Sequence, residues 1–249
     1  METCASVRDG STTGKSDDGP AASLVRIPYQ IALPDPAIEV WLAPLDISTH
    51  QLQQCSMLLS HDEKMRVERL YFERDRRRYA VARAMLRVLL AGHVGMAPGE
   101  IPFQVGPHGK PYVADAPVHF NLSHSGERAI YAISRSCVPG VDIEFIDRTI
   151  DHDGVAQRFF SAREFSELRR IPAAGRKRAF FACWTRKEAV MKATGDGMRM
   201  ALDQIEVTVD PDGQPRLLST PGEQTADWTL HTVDAGSSYV ATVAAHRAS

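Results

Sequence analysis

The chain has 249 residues, of which 43% are hydrophobic and 24% charged, enough apolar material for one large domain or two small ones. A formal charge of −2 gives no global basic field to draw it onto nucleic acid or an acidic membrane, and the most apolar stretch, Val81 to Ala97, is broken by Arg83, Arg87 and His93, so nothing there spans a bilayer. Cys4, Cys55, Cys137 and Cys183 lie far apart, without disulfide-scaffold or zinc spacing, which fits a reducing cytoplasm.

Residues 1–36 are rich in Ser, Thr, Gly, Asp and Pro, bury too little apolar surface to offset their ordering entropy, and read as a flexible leader. Order is expected from near Ile31, and a strand over Ala37 to Leu45. Ser60 and Glu63 stand in capping-box spacing before a helical stretch. A long helix follows, with Tyr79, Ala82, Leu86, Leu89 and Leu90 as its apolar stripe, arginines on another face, and Gly92, Gly95 and Pro98 to stop it. From Ile101 the pattern turns to short β segments, ending in GVDIEFI from Gly140. Ser161 and Glu164 repeat the capping-box spacing, a second long helix runs to Gly195 and Gly197, and the chain returns to strands. Tyr79, Arg83 and Leu86-Arg87 are echoed by Phe180, Trp184 and Lys187-Glu188 at the same offsets. Helix followed by strands, twice over, predicts an α+β fold made of two similar halves, 37–138 and 139–247, the second carrying the metal and catalytic motifs.

Four groups of residues could carry chemistry. In GVDIE, read as a strand, Asp142 and Glu144 share one face about 7 Å apart. They could converge on a hard cation, or simply face water on a half-exposed strand. In WTRKEAVMK, Trp184, Glu188 and Lys192 share one helix face with Lys187 beside it; alone, this is equally a solvated Glu–Lys pair beside a packed Trp. FNLSHS sets Ser123, His124 and Ser125 at a strand end, with no nucleophile elbow. The run Lys64 to Arg87 carries +6, either a solvated helix face or a seat for a compact polyphosphate.

Taken in order, GKPYV from Gly109, FNLSHS from Phe120, GVDIE from Gly140 and WTRKEAVMKATGDG from Trp184 resemble the 4'-phosphopantetheinyl transferases, specifically the larger surfactin-synthetase-activating (Sfp) type. The resemblance spans about Ala37 to Ala245 and leaves the leader without a counterpart. It implies a pseudo-dimer of two α+β halves in a single chain, and transfer of 4'-phosphopantetheine from coenzyme A to a serine of an apo acyl or peptidyl carrier protein, releasing adenosine 3',5'-bisphosphate. It also implies that Asp142, Glu144 and Glu188 hold Mg²⁺ (or Mn²⁺), that Glu188 takes the serine proton, and that Lys192 neutralises the leaving α-phosphate. Lys187 matches a diphosphate contact; Lys110, Ser123 and His124 match positions that grip coenzyme A; Arg66 and Arg78 fall at its nucleotide end. Trp184 is expected to pack beneath the site. The expected protein is a cytoplasmic monomer with no nucleic-acid or membrane partner. A coenzyme A- or nucleotide-binding module without catalysis, a metal-dependent phosphohydrolase on the same carboxylates and a plain structural protein are the competing readings.

Overall fold

The computed structural model describes residues 24, 27–146, 149–195 and 201–247. In chain order these form β1 (Tyr29–Ile31), β2 (Glu39–Pro44), α1 (Thr49–Leu58), α2 (His61–Arg69), α3 (Glu73–Val94), β3 (Phe103–Val105), β4 (Pro111–Val113), β5 (His119–Ser125), β6 (Arg128–Ser134) and β7 (Val138–Phe145). There follow α4 (His152–Phe159), α5 (Ala162–Arg170), α6 (Ala173–Thr194), β8 (Glu206–Val207), β9 (Leu217–Ser219), β10 (Trp228–Val233) and β11 (Tyr239–His246). Among the described residues no helix is long and apolar enough to cross a membrane.

The element order repeats: a strand, three helices and four strands from β2 to β6, then the same again from β7 to β11. Strand order repeats with it, since β2-β6-β5 within the first sheet corresponds to β7-β11-β10 in the second. In each half the middle helix opens on a complete capping box, Ser60 with Glu63 and Ser161 with Glu164, as the spacing predicts. Each long helix ends on a left-handed glycine, Gly95 at φ 68° and Gly195 at φ 78°, where a side chain would be strained. The chain is thus a pseudo-dimer of two α+β halves.

Alternation along the strands sorts the core into three parts. Ala129, Tyr131 and Ile133 of β6 pack with α3, Val240 and Ala244 of β11 with α6, and Val40, Leu42, Ile130 and Ala132 meet Val141, Ile143, Ala241 and Val243 between the sheets. This shared apolar layer joins the halves, so neither is expected to fold alone.

Three findings differ from the sequence reading. Part of the expected leader belongs to the fold: Leu24 is fully buried, β1 pairs with β2 (Tyr29↔Leu42, Ile31↔Val40), and Asp35 accepts a 2.7 Å bond from Arg247. These apolar residues are too few and too scattered to show a period, and they become core only through long-range contacts. Residues 1–23 lie outside the described residues. Deleting residues 1–31 is therefore expected to lower Tm by about 5 °C or more, from lost burial of Leu24 and the lost strand. A melt within about a degree of the parent would show that β1 contributes nothing.

Second, the basic run is only partly an open face: Lys64, Arg66, Arg69, Arg74 and Arg76 are exposed, but its C-terminal end is not. Arg87 is 1% exposed, and together Arg83 and Arg87 clasp Glu63 at 2.7 Å each. Burial alone would raise the Glu63 carboxyl; the Arg87 hydrogen bond and the Arg83 charge outweigh it and hold it below its ordinary range. Third, Lys187 is fully buried and its Nζ lies 2.5 Å from Glu164 Oε2. Lys187 is thus the counterpart of Arg87, each tying the long helix to its half's capping-box glutamate. That equivalence moves the echo by one residue. With Gly95 matched to Gly195, Val88 and Gly92 stand where Glu188 and Lys192 stand, so the first half has no second copy of that pair.

Candidate active site

Gly140 determines how closely α6 lies on β7. A Cβ there would overlap the Ala189 carbonyl oxygen and come within 2.5 Å of the Ala193 nitrogen, both backbone atoms that cannot step aside. This approach places the Glu188–Lys192 face of α6 against the Asp142–Glu144 strand. Gly140→Ala is expected to lower Tm by more than about 5 °C through overpacking, read by thermal melting. An unchanged Tm would mean that the helix rides loosely on the strand.

Lys192 Nζ sits 2.6 Å from Asp142 Oδ1, 3.1 Å from Ser123 Oγ and 3.3 Å from the Val141 carbonyl. Ser123 donates to the same Oδ1 at 2.8 Å. The other oxygen, Asp142 Oδ2, is buried and has no hydrogen-bond partner, although the residue is only 3% exposed. Such an orphaned carboxylate oxygen is costly unless something else satisfies it. Glu144 accepts from Ser125 Oγ at 2.8 Å. Burial first, and then the Asp142 charge, push its carboxyl up to about 7. Glu188, one helical turn before Lys192, is also raised by burial and by Asp142, with Lys192 opposing.

Three acidic groups close enough for the Asp142 charge to raise both Glu144 and Glu188 fit a divalent cation that would relieve the repulsion. Their donors are hard oxygens, the type Mg²⁺ takes. Among the described residues no three metal-binding side chains are closed into a ready-made cage. An ion held there would need water and substrate phosphates to complete its shell, as Mg²⁺ commonly does. The residues therefore fit the group.

Beside Lys192 opens a cleft of about 210 Å³ whose walls include His108, Lys110, Pro111, Asn121 and Gly195. It continues along the β3–β4 hairpin into a second recess of about 440 Å³. Lys110 donates to the Lys192 carbonyl at 2.8 Å and approaches that of Pro139 at 3.5 Å, tying the hairpin to the C-terminal end of α6. Burial pushes its ammonium down to about 8. His124 presents an exposed edge, and its imidazole is held below its usual range by desolvation and by the charges of Lys192 and Arg78. Cations from both halves therefore face this mouth, as an anionic substrate requires.

The model of the 4'-phosphopantetheinyl transferase superfamily matches residues 139–244, and that of the 4'-phosphopantetheinyl transferase N-terminal region matches 45–136. Over 207 residues the chain is 37% identical to the 4'-phosphopantetheinyl transferase HetI of Nostoc sp., covering 82% of this chain and 85% of that one. The chain belongs to the 4'-phosphopantetheinyl transferase superfamily. This transferase is also 35% identical to the 4'-phosphopantetheinyl transferase psf-1 of Bacillus pumilus, over 72% of its own length and 76% of the relative's. It is 29% identical to the 4'-phosphopantetheinyl transferase Sfp of Bacillus subtilis (strain 168), over 68% and 74% respectively. It is Sfp-like, as its motifs indicate.

The transferase fold gathers Asp142, Glu144, Glu188, Lys192, Ser123, His124 and Lys110 at the seam between its halves, with the charge of Arg78 reaching His124. Arg66 lies exposed on α2, where its charge reaches Tyr79 of α3. Lys187 does not line the site. The residue after it on the helix, Glu188, lies within reach of the Asp142 and Lys192 charges; about 100° of helix turn away, Lys187 enters the core against Glu164 and the Ile205 carbonyl. Trp184 packs on Phe180 and edge-on to Phe159. Sequence reasoning assigned no task to Asn121 or Ser125. The signal lay in the every-second-residue spacing of Asn121, Ser123 and Ser125 on β5, which puts three hydrogen-bonding side chains on one face.

Proposed function

We propose that this transferase uses Asp142, Glu144 and Glu188 to hold Mg²⁺, or Mn²⁺ in its place, against the diphosphate of coenzyme A, and moves the 4'-phosphopantetheine group to a serine of an apo acyl or peptidyl carrier protein. The observation that carries this reading is the buried Asp142 carboxylate, with one oxygen held by Lys192 and Ser123 and the other unsatisfied.

Glu188, its carboxyl raised above its ordinary range by burial and by the Asp142 charge, is assigned as proton acceptor for the incoming serine, directly or through one water. The serine oxygen bonds to the β-phosphorus as the bond from that phosphorus to the bridging oxygen breaks. The electron pair stays on the α-phosphate of adenosine 3',5'-bisphosphate, and the serine proton passes to Glu188. Lys192 meets the charge that develops on that α-phosphate, and its bond to Asp142 holds it in place. A cation held by Asp142, Glu144 and Glu188 would supply charge neutralisation at the diphosphate. Positioning accounts for the rest of the catalysis. Lys110, His124, Arg78 and Arg66 are assigned to the coenzyme A side of the mouth, and Ser123 to both coenzyme A and Asp142.

The halves are assigned to 37–138 and 139–247, each an incomplete unit because of the shared layer. A cytoplasmic monomer without nucleic-acid partners completes the reading, supported by the buried free thiols Cys55, Cys137 and Cys183 and by a second subunit-like half within the chain.

The pH dependence of cation binding tests the assignment. Glu144 is protonated below about 7 in the absence of metal, and a cation binds only the deprotonated form. Affinity for Mg²⁺ is therefore expected to rise as pH increases through about 7 and to level off above it, measured by calorimetry with coenzyme A present. A flat profile from acid to neutral pH would remove Glu144 from the cation site.

A further inference from the structure

β5 and β7 run side by side but belong to different sheets, so no backbone ladder joins them. Bare strand edges leave N–H groups in need of partners. Side chains at alternate positions of β5 meet that need. Asn121 Oδ1 accepts from the Val141 N–H at 2.9 Å, and Ser125 Oγ accepts from the Phe145 N–H at 3.0 Å. The same Ser125 hydroxyl donates to Glu144 Oε2 at 2.8 Å, while Ser123 donates to Asp142 Oδ1 at 2.8 Å. A serine oxygen carries one proton to donate. With Phe145 N–H occupying its acceptor side, that proton is directed at Glu144.

We infer that Ser125 is a positioning residue for transfer: anchored by the Phe145 amide, it aims the Glu144 carboxylate, so that β5 of the first half is the template holding both β7 carboxylates of the second. The inference rests on the reading that Asp142 and Glu144 hold the divalent cation. A glutamate has three rotatable bonds to fix, and a hydroxyl that already fixes its end leaves less ordering to the moment of cation binding. Ser125 differs from a substrate contact because both sides of its hydroxyl are engaged within the protein. The carboxylates and Lys192 come from the second half and part of their alignment from the first, which gives the first half a task in the reaction besides its coenzyme A contacts.

The test uses the full chain with Ser125→Ala and Ser125→Thr, the latter retaining the hydroxyl on a β-compatible side chain. Mn²⁺ is the probe, its free concentration read by electron paramagnetic resonance with coenzyme A present, alongside transfer kinetics across a Mg²⁺ titration. Ser125→Ala is expected to weaken Mn²⁺ binding about tenfold and raise the half-saturating Mg²⁺ by a similar factor, the usual scale for losing a group that orients a ligand. The KM for coenzyme A at saturating Mg²⁺ should stay within about twofold, and Ser125→Thr should restore most of the Mn²⁺ affinity. Unchanged Mn²⁺ affinity in Ser125→Ala, or a threonine variant as weak as the alanine one, overturns the inference. Should the alanine variant fail to fold, Ser125→Cys keeps the volume with a poor donor and faces the same two outcomes. Asp142→Asn separates the layers: if it too binds Mn²⁺ normally, the cation reading itself fails, whereas loss in Asp142→Asn with none in Ser125→Ala sinks only the role of Ser125.

Discussion

Glu188→Gln is expected to lower kcat for transfer by at least about a hundredfold, the scale for losing a general base or a key charged ligand. The substitution preserves size and the helix, and Glu188 is only half-buried, so Tm should barely change. Glu188 stands one turn before Lys192 on the face of α6 that Gly140 allows against β7, with its carboxyl raised by burial and Asp142. If proton acceptance is its main task, the loss falls on kcat at saturating Mg²⁺; if cation holding is, excess Mg²⁺ recovers part of it. Turnover near that of the parent would remove Glu188 from the mechanism.

Lys192→Met should cost about 10²–10³ in kcat by removing the charge that meets the leaving phosphate. Its second effect has the opposite sign. Lys192 Nζ is the cation on Asp142 Oδ1 at 2.6 Å, so without it the buried carboxylate loses its compensating charge. Divalent cation affinity should then hold or increase while transfer collapses, and Tm without metal should fall because a buried charge is left unpaired. Added Mg²⁺ should restore part of that Tm. A variant that lost both transfer and cation binding would show that Lys192 builds the cation site rather than serving the leaving group.

The sequence made much of this legible for identifiable reasons. Asp142 and Glu144 stood out through strand alternation, and Glu188 and Lys192 through helical spacing, because both periods are local. The capping boxes at Ser60 and Ser161 marked two helix starts correctly. Helix α1 was missed although Ser48 and Gln51 form a third box, since its short, polar sequence shows little apolar period. Helix α4, capped by Asp151, was missed in the same way.

Arg87 was read within a basic run and Lys187 as a diphosphate contact, and only the fold shows each meeting a buried glutamate more than twenty positions away. The task of Ser125 was hidden for a related reason. Its partners Glu144 and Phe145 lie on a strand whose adjacency to β5 is purely tertiary. Departure of buried charges from the local rule thus marked structure in two places and the catalytic site in a third, at Asp142.

The most direct test is to incubate the full chain with coenzyme A, Mg²⁺ and an apo carrier protein, and to weigh the carrier by intact-mass spectrometry. The account predicts a carrier heavier by one 4'-phosphopantetheine group on its serine, with equimolar adenosine 3',5'-bisphosphate released and neither product formed when Mg²⁺ is chelated. An unmodified carrier, or coenzyme A cleaved without any gain in carrier mass, would contradict it.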